Sequence, residues 1–173
     1  EIYGEFGWND HKYNMRDLIL NPDHAAAYLV GLRKIIPLSN QRRIGMELEL
    51  TQLEPTNSDI ARPAGNWYVH GQIWEGYTHQ NQIIGGGVTP GDNTATLRIS
   101  YSNGLKKQSI TLERYQHDPR FHEITWTDLS IALKHQQPWK KHFLFVAGID
   151  IVSRSGLFWQ KGNDKLNLQL SLK

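Results

Sequence analysis

Apolar and polar side chains alternate along most of this chain. The clearest case is the segment KLNLQLSLK at residues 165–173, in which every second residue from Leu166 to Leu172 is leucine and each residue between is polar. Successive side chains of a strand point to opposite faces, so this segment predicts a β-strand with one leucine face and one polar, mostly uncharged face.

The same period of two recurs in seven further segments. They are residues 1–8, 25–36, 43–51, 94–101, 110–113, 128–134 and 143–154. Residues 17–28 have room for a turn or two of helix, which Pro22 limits. The chain is therefore predicted to be all-β with about eight strands.

The predicted connections alternate between long and short. Residues 9–24, 54–93 and 153–164 are long and 116–123 medium, whereas 37–41, 102–104 and 135–141 are short. Asn103-Gly104 predicts the type I′ turn of a tight hairpin. Long connections on one side and short turns on the other are typical of outer-membrane barrels. We therefore predict an antiparallel transmembrane β-barrel of the outer-membrane type, with residues 1–173 as a single barrel domain or the C-terminal segment of one. A soluble β-sandwich or closed barrel is the alternative.

Aromatic and charged positions favour the membrane barrel. Aromatic residues at or near predicted strand ends match the girdles of such barrels: Trp8, Tyr101, Tyr115, Trp126, Trp139, Phe158 and Trp159. Charged residues within the strands fall on the polar face: Glu47, Glu49, Arg98, Glu113, Asp128, Lys134, Asp150 and Arg154. Both signs are present, which predicts a filled, charge-paired interior rather than an ion-selective pore.

Composition excludes several classes of function. The 19 Lys and Arg against 17 Asp and Glu give a formal charge of only +2, and basic residues are scattered along the chain, so no nucleic-acid partner is predicted. The absence of Cys excludes a disulfide scaffold, a zinc-thiolate site and a Cys nucleophile. The longest strongly apolar run, residues 143–148, is far too short for a membrane helix. The first residues, EIYGEFGW, contain neither an initiator Met nor a signal peptide, so a mature or excised segment is expected.

No metal site, cofactor or catalytic residue is predicted. His117 and His122 flank Asp118, and His11 and His24 accompany Asp10 and Asp23, but no spacing makes three or four ligands converge. Solvated loop histidines are the preferred interpretation. An outer-membrane hydrolase or acyltransferase using His122-Glu123 with Ser153 or Ser155 is one functional alternative, although no GxSxG motif supports it. A porin or solute channel is the other.

The connection at residues 54–93 holds the chemistry that sugar binding needs. Aromatic faces with amide, carboxylate and imidazole partners are suited to glycans. The predicted glycan-binding residues are Trp67, Tyr68, His70, Trp74, Glu75, Tyr77, His79 and Gln80. An open alternative is that several of them pack this connection onto the barrel mouth, or that residues 67–77 form another strand.

Several segments of the sequence together resemble one known protein family. The run WYVHGQIWEGYTHQNQIIGGGVTPGDN, preceded by GEFGWNDH and NPDHAAAYLVGL, resembles the Wzi family of outer-membrane capsule-assembly proteins over nearly the whole chain. The most specific pieces are YVH at 68–70, GYT at 76–78, IG at 84–85 and PG at 90–91. The resemblance implies the C-terminal portion of a large barrel in the bacterial outer membrane, contacting lipid and retaining capsular polysaccharide without catalysis. One departure is the ending Leu172-Lys173, which lacks the terminal aromatic residue of such barrels; we expect the chain to be cut a few residues short.

Overall fold

The computed structural model is all-β. It describes residues 1–9, 12–54, 67–68, 71–73, 76–80, 82–84, 88, 91–117, 126–140, 142–155 and 164–172. In chain order the elements are β1 (Ile2–Trp8), α1 (Met15–Leu20), β2 (Ala26–Pro37), β3 (Arg42–Gln52), β4 (Thr78–His79), β5 (Gln82–Ile83), β6 (Asn93–Asn103), β7 (Lys106–Gln116), β8 (Thr127–Trp139), β9 (Phe143–Ser155) and β10 (Lys165–Leu172).

Eight of these strands form one antiparallel sheet in the order β1-β2-β3-β6-β7-β8-β9-β10. β4 and β5 form a separate short hairpin. The prediction of eight strands in an all-β antiparallel fold is thus confirmed. Helix is confined, within the described ranges, to α1, which Asn14 caps by accepting from the backbone of Asp17 and which ends before Pro22. None of the described helical structure is long and apolar enough to cross a membrane.

The register places most of the large aliphatic side chains on one face, which we call the apolar face. One row of paired residues crosses all eight strands without a polar member: Ile2, Leu32, Leu48, Leu97, Leu112, Ile131, Ile151 and Leu168. Most of the large apolar residues of this face are exposed. On the same face a row of polar residues bounds them at one end: Gln52, Asn93, Gln116, Thr127 and Ser155. Arg42, Asn103 and Lys106 begin a second such row at the other end.

The opposite, polar face carries the charges. All eight strand charges predicted for it are there by register. Glu47 lies between Arg33 and Arg98, at 3.4 Å from Nε of the first and 3.3 Å from Nη1 of the second. These ion pairs link β2, β3 and β6, so side chains as well as backbone hydrogen bonds fix the register of the polar face.

Tyr3 adds a longer bridge across the same face. Its hydroxyl donates to Oε2 of Glu49 at 2.9 Å, so it spans from β1 past β2 to β3. Gly31 of β2 lies beneath the ring, where an added Cβ would sit 2.0 Å from Cζ of Tyr3. The ring can cross β2 only because residue 31 has no side chain.

All short connections lie at one end of the sheet and the long ones at the other. The short-turn end comprises residues 38–41, 104–105 and 140–142; the long-connection end comprises 9–25, 53–92, 117–126 and 156–164. The predicted alternation is therefore confirmed, but the type I′ prediction at 103–104 is wrong. Asn103 pairs with Lys106, so the loop is Gly104-Leu105, with a positive φ of 56° at Gly104 and none at Leu105. Asn40 and Gln41, with φ of 58° and 61°, are two consecutive left-handed residues, as a type I′ turn requires.

Aromatic residues mark both ends of the apolar face. Phe6 packs against Trp8 and Tyr28 near the long-connection end, with ring centroids 4.8 Å and 5.3 Å apart. Tyr101 and Trp139 lie toward the short-turn end of the same face. Of the predicted girdle residues, Trp8, Tyr101 and Trp139 therefore lie near strand ends on the apolar face, whereas Phe158 and Trp159 lie outside the described residues.

We expect Gly31→Ala to destabilise the fold by about 1–3 kcal/mol, because the new methyl group overlaps the Tyr3 ring. Gly71→Ala is the matched control, since an added Cβ there meets nothing within 4 Å. The free energy of unfolding from denaturant titration measures both. In a Tyr3→Ala background the cost of Gly31→Ala should disappear; an undiminished cost would contradict the contact.

Candidate functional site

Trp67 and Tyr68, in the connection between β3 and β6, lie over the polar face at the long-connection end. The connection is described at its ends and at a few residues between them. Its two ends are joined, because the backbone N–H of Glu54 donates to Oδ1 of Asn93 at 3.2 Å and Nδ2 of Asn93 donates to Oε2 of Glu54 at 2.7 Å. Trp67 and Tyr68 pack on a small buried cluster of Ala27, Leu53 and Val88. This connection is therefore held on the sheet by apolar packing as well as by hydrogen bonds at its base.

Trp67 also lies over β1. An added Cβ at Gly7 would be 3.0 Å from Cη2 of its ring. A cavity of about 180 Å³ remains between the ends of β1 to β3 and the rings of Trp67 and Tyr68. Trp67 and Tyr68 are half-buried because they pack the connection onto the sheet, which was the alternative to a role in glycan binding. The alternative of a strand over 67–77 finds no support in its described residues, which are turn or irregular.

The β4–β5 hairpin holds three other predicted residues in exposed positions. Tyr77 is 62% exposed and its carbonyl accepts from the backbone N–H of Ile84 at 3.0 Å. His79 pairs with Gln82, and Gln80 occupies the turn with φ of 50°. Since side chains two apart share a face, Tyr77, His79 and Gln82 lie on one side of the hairpin. We call this set the hairpin platform; Gln82 adds an amide to it.

His70, Trp74 and Glu75, which complete the predicted glycan-binding set, lie outside the described residues. The two groups that the structure does place differ in environment. Trp67 and Tyr68 are packed against the sheet, and the platform residues are open to solvent. Aromatic, imidazole and amide groups on an exposed surface are able to stack on and hydrogen-bond a sugar.

A second polar assembly occupies the polar face at the same end of the sheet, and we call it the rim cluster. His117 follows β7 with Nδ1 3.3 Å from Oδ2 of Asp92 and Nε2 3.4 Å from Oδ2 of Asp128. Its ring stacks on Trp126 at 4.3 Å and packs against Tyr115 at 4.5 Å. The imidazole thus lies between two carboxylates and two aromatic rings.

Arg154 completes the rim cluster through a bidentate contact. Its Nε donates to Oδ1 of Asp128 at 2.8 Å and its Nη2 donates to Oδ2 at 2.7 Å. The Asp128 side chain is only 12% exposed. Charge-assisted bidentate pairs are strong and geometrically specific. The cluster therefore ties the ends of β6, β7, β8 and β9 together at the rim.

The rim cluster corrects two sequence expectations. Tyr115 and Trp126 pack around His117 on the polar side and do not belong to the aromatic girdle of the apolar face. His117 and His24 are not solvated loop histidines, since the His117 side chain is 19% exposed and His24 is 2% exposed. Histidine in a connection gives no sign of burial until the flanking strands are paired.

A hydrolytic arrangement is not assembled by the described residues. Ser153 lies on the apolar face between Leu129 and Leu166, and the hydroxyl of Ser155 donates to the carbonyl of Thr127 at 3.4 Å. His122 and Glu123 lie outside the described residues. Within the described part of the chain no three His, Asp or Glu side chains are placed to hold a metal ion.

Comparison of the chain with protein-family models, curated proteins and solved structures found no match. The proposed function therefore rests on the geometry of the sheet, the rim cluster and the hairpin platform.

We expect Asp128→Asn to lower the free energy of unfolding by about 1–3 kcal/mol, because Arg154 and His117 lose a charged partner at a poorly solvated site. Asp150→Asn is the control, since Asp150 lies on the polar face of the neighbouring strand and forms no ion pair with a described residue. Denaturant unfolding of both variants measures the difference. Equal losses would show that the rim cluster does not stabilise the fold.

Proposed function

We propose that the chain is an arc of a transmembrane β-barrel in the bacterial outer membrane, and that it acts without catalysis in the assembly or attachment of capsular polysaccharide. The observation that carries the membrane part is the exposed apolar face. An uninterrupted row of aliphatic residues crosses all eight strands of this face, and parallel polar rows bound the face toward the two ends of the sheet.

Energetics favour a cover for this face. A large aliphatic side chain left in water forgoes up to about 1.5–3 kcal/mol of burial energy, so the eight-residue row alone represents on the order of 10 kcal/mol. Domain stabilities are about 5–15 kcal/mol. Lipid chains would supply the apolar contact that the described residues do not.

The height of the apolar band fits a bilayer. The polar rows that bound it on β6 are set by Asn93 and Asn103. Ten residues at about 3.4 Å per residue span about 34 Å along the strand. A tilt of about 40°, which is usual in outer-membrane barrels, reduces this to about 26 Å across the membrane, against about 25 Å for the apolar band of such barrels.

Between its two polar rows the apolar face carries two cations in the described strands. Arg114 is one row inside the polar row of Gln116, and its Nη2 donates to Oε1 of Gln116 at 2.9 Å. Long basic side chains reach from apolar surroundings toward the interface, so the Arg114 position is compatible with a membrane face. Lys34 lies opposite Met46, two rows inside the polar row of Arg42 and beyond the point where β1 begins, so its position does not support the membrane assignment.

The polar face favours a filled interior over a diffusion pore. Glu47 is shared by two arginines and Asp128 is paired with Arg154. Trp67 and Tyr68 pack onto the same face at the long-connection end. A porin instead requires an open aqueous passage.

The polysaccharide part of the proposal is supported by the family resemblance and by the hairpin platform. Tyr77, His79 and Gln82 offer an aromatic surface, an imidazole and an amide on an exposed hairpin at the long-connection end. That end faces the outside of the cell in outer-membrane barrels. A polymer held there would be bound and not cleaved.

Ile131→Arg should reduce insertion into lipid bilayers by about 2–4 kcal/mol, because it places a charge in the middle row of the apolar face. Ala132→Arg is the control on the adjacent position, which faces the polar side. Partitioning of the full-length protein between vesicles and urea measures both variants. Equal insertion of the two variants, or a full-length protein that is monodisperse without detergent, would contradict the membrane assignment.

Tyr77→Ala should lower the affinity for purified capsular polysaccharide and the amount of capsule that cells retain, because the exposed ring supplies stacking area. A stacked aromatic ring is worth about 0.5–1.5 kcal/mol, so a loss of roughly threefold to tenfold in affinity is expected. Tyr13→Ala removes a comparably exposed tyrosine from another connection and should have no effect. Retained capsule combined with loss of small-solute uptake would favour a porin instead.

A further inference from the structure

Charge is distributed unequally along the strand direction. Residues 34–46, 99–110 and 132–149 contain the three short connections with the strand halves on either side. In sequence these stretches hold eight Lys and Arg and no Asp or Glu. The rest of the chain holds 11 Lys and Arg (19 minus 8) and all 17 Asp and Glu.

Strand pairing gathers these scattered basic residues at the short-turn end. Arg42 and Lys106 are both cross-strand partners of Asn103, and the three residues lie in the polar row that bounds the apolar face. Lys140 lies in the next short connection, with its Nζ 5.9 Å from the centre of the Trp139 ring. We call Arg42, Lys106 and Lys140 the basic collar.

The lysines of the basic collar differ from the strand arginines in having no acidic partner. Lys106 and Lys140 are exposed, and neither forms an ion pair with a described residue. Arg33, Arg98 and Arg154, by contrast, each contact a carboxylate. Like charges gathered at one end repel one another. An anionic partner would remove that penalty.

We propose that the basic collar binds the anionic headgroups of phospholipids in the leaflet that the short-turn end reaches, an inference that rests on the proposed membrane insertion. The collar borders the apolar face beside Tyr101 and Trp139, which are residue types of the membrane interface. Lysine stems can pack on apolar surface while the ammonium groups meet phosphate. Short turns of outer-membrane barrels face the periplasm, so this is the phospholipid leaflet.

The attraction is large enough to measure. Each Lys or Arg near an anionic lipid surface strengthens binding by about fivefold, and salt screens the effect. The test variant is the full-length protein carrying Lys106→Gln and Lys140→Gln. The control variant carries Arg16→Gln and Lys165→Gln, which removes the same charge from exposed positions outside the collar.

The experiment compares the partition coefficient into phosphatidylcholine vesicles with that into vesicles that also contain phosphatidylglycerol. Phosphatidylglycerol should strengthen binding of the wild-type and control proteins by at least about tenfold at low salt, and the test variant should lose most of this gain. No gain for the wild type, or an equal loss in the control, overturns the proposal. If the test variant loses binding to a soluble polyuronate but responds to phosphatidylglycerol as the wild type does, the proposal is also overturned, in favour of a site for an anionic polymer.

Failure of the membrane assignment would look different. A wild-type protein that does not insert into phosphatidylcholine vesicles contradicts the proposed function itself. A protein that inserts equally into both kinds of vesicle keeps the membrane assignment and removes only the headgroup site.

Discussion

The register of the eight-stranded sheet is the constraint on which the other features depend. Because side chains alternate between faces, a slip of one residue between two strands would move leucines to the polar side and charges to the apolar side. The Arg33–Glu47–Arg98 ion pairs and the Tyr3 bridge over Gly31 oppose such a slip between β1 and β6. At the long-connection end the Asp128–Arg154 pair does the same for β8 and β9. Specific polar contacts on one face thus preserve the aliphatic row that crosses all eight strands on the other.

The strands could be predicted from the sequence because alternation is a local signal. Leu166 to Leu172 shows its two faces without reference to any other part of the chain. The turn lies one residue later than the sequence predicts, at Gly104-Leu105. The pairing of Asn103 with Lys106, a contact between strands, decides where the loop begins. Local pattern determines that a hairpin exists, and cross-strand pairing determines its type.

The rim cluster could not be predicted because its members come from different connections. His117 is brought to Asp92 and Asp128 only when β6, β7 and β8 align. The Asp128–Arg154 pair could be predicted in part, because the alternation of the sequence assigns both residues to the polar face. Among the predicted glycan-binding residues, composition identified Tyr77 and Trp67 alike; only the packing on Ala27 and Leu53 distinguishes an anchoring aromatic residue from an exposed one.

The two ends of the sheet have different chemistry. The long connections, the rim cluster and the hairpin platform share one end of the sheet, whereas the described charges in the short connections are basic. The described acidic residues of the connections belong to the first end: Asp17, Asp23, Glu54, Asp92 and Asp164. The polar rows of the apolar face separate both ends from the aliphatic band between them. This division suits a protein that spans two unlike surroundings, with lipid around its middle.

The central claim is that the apolar face contacts lipid chains. The chain has no Cys, so single cysteines along β8 can be spin-labelled one at a time in the membrane-embedded protein. Collision with oxygen, which concentrates in lipid, and with a water-soluble nickel chelate can then be compared at each position. The account predicts an alternation, with Leu129, Ile131 and Leu133 accessible to oxygen and Ser130 and Ala132 not. Absence of that alternation, or exclusion of both reagents from Leu129, Ile131 and Leu133 alike, would contradict it.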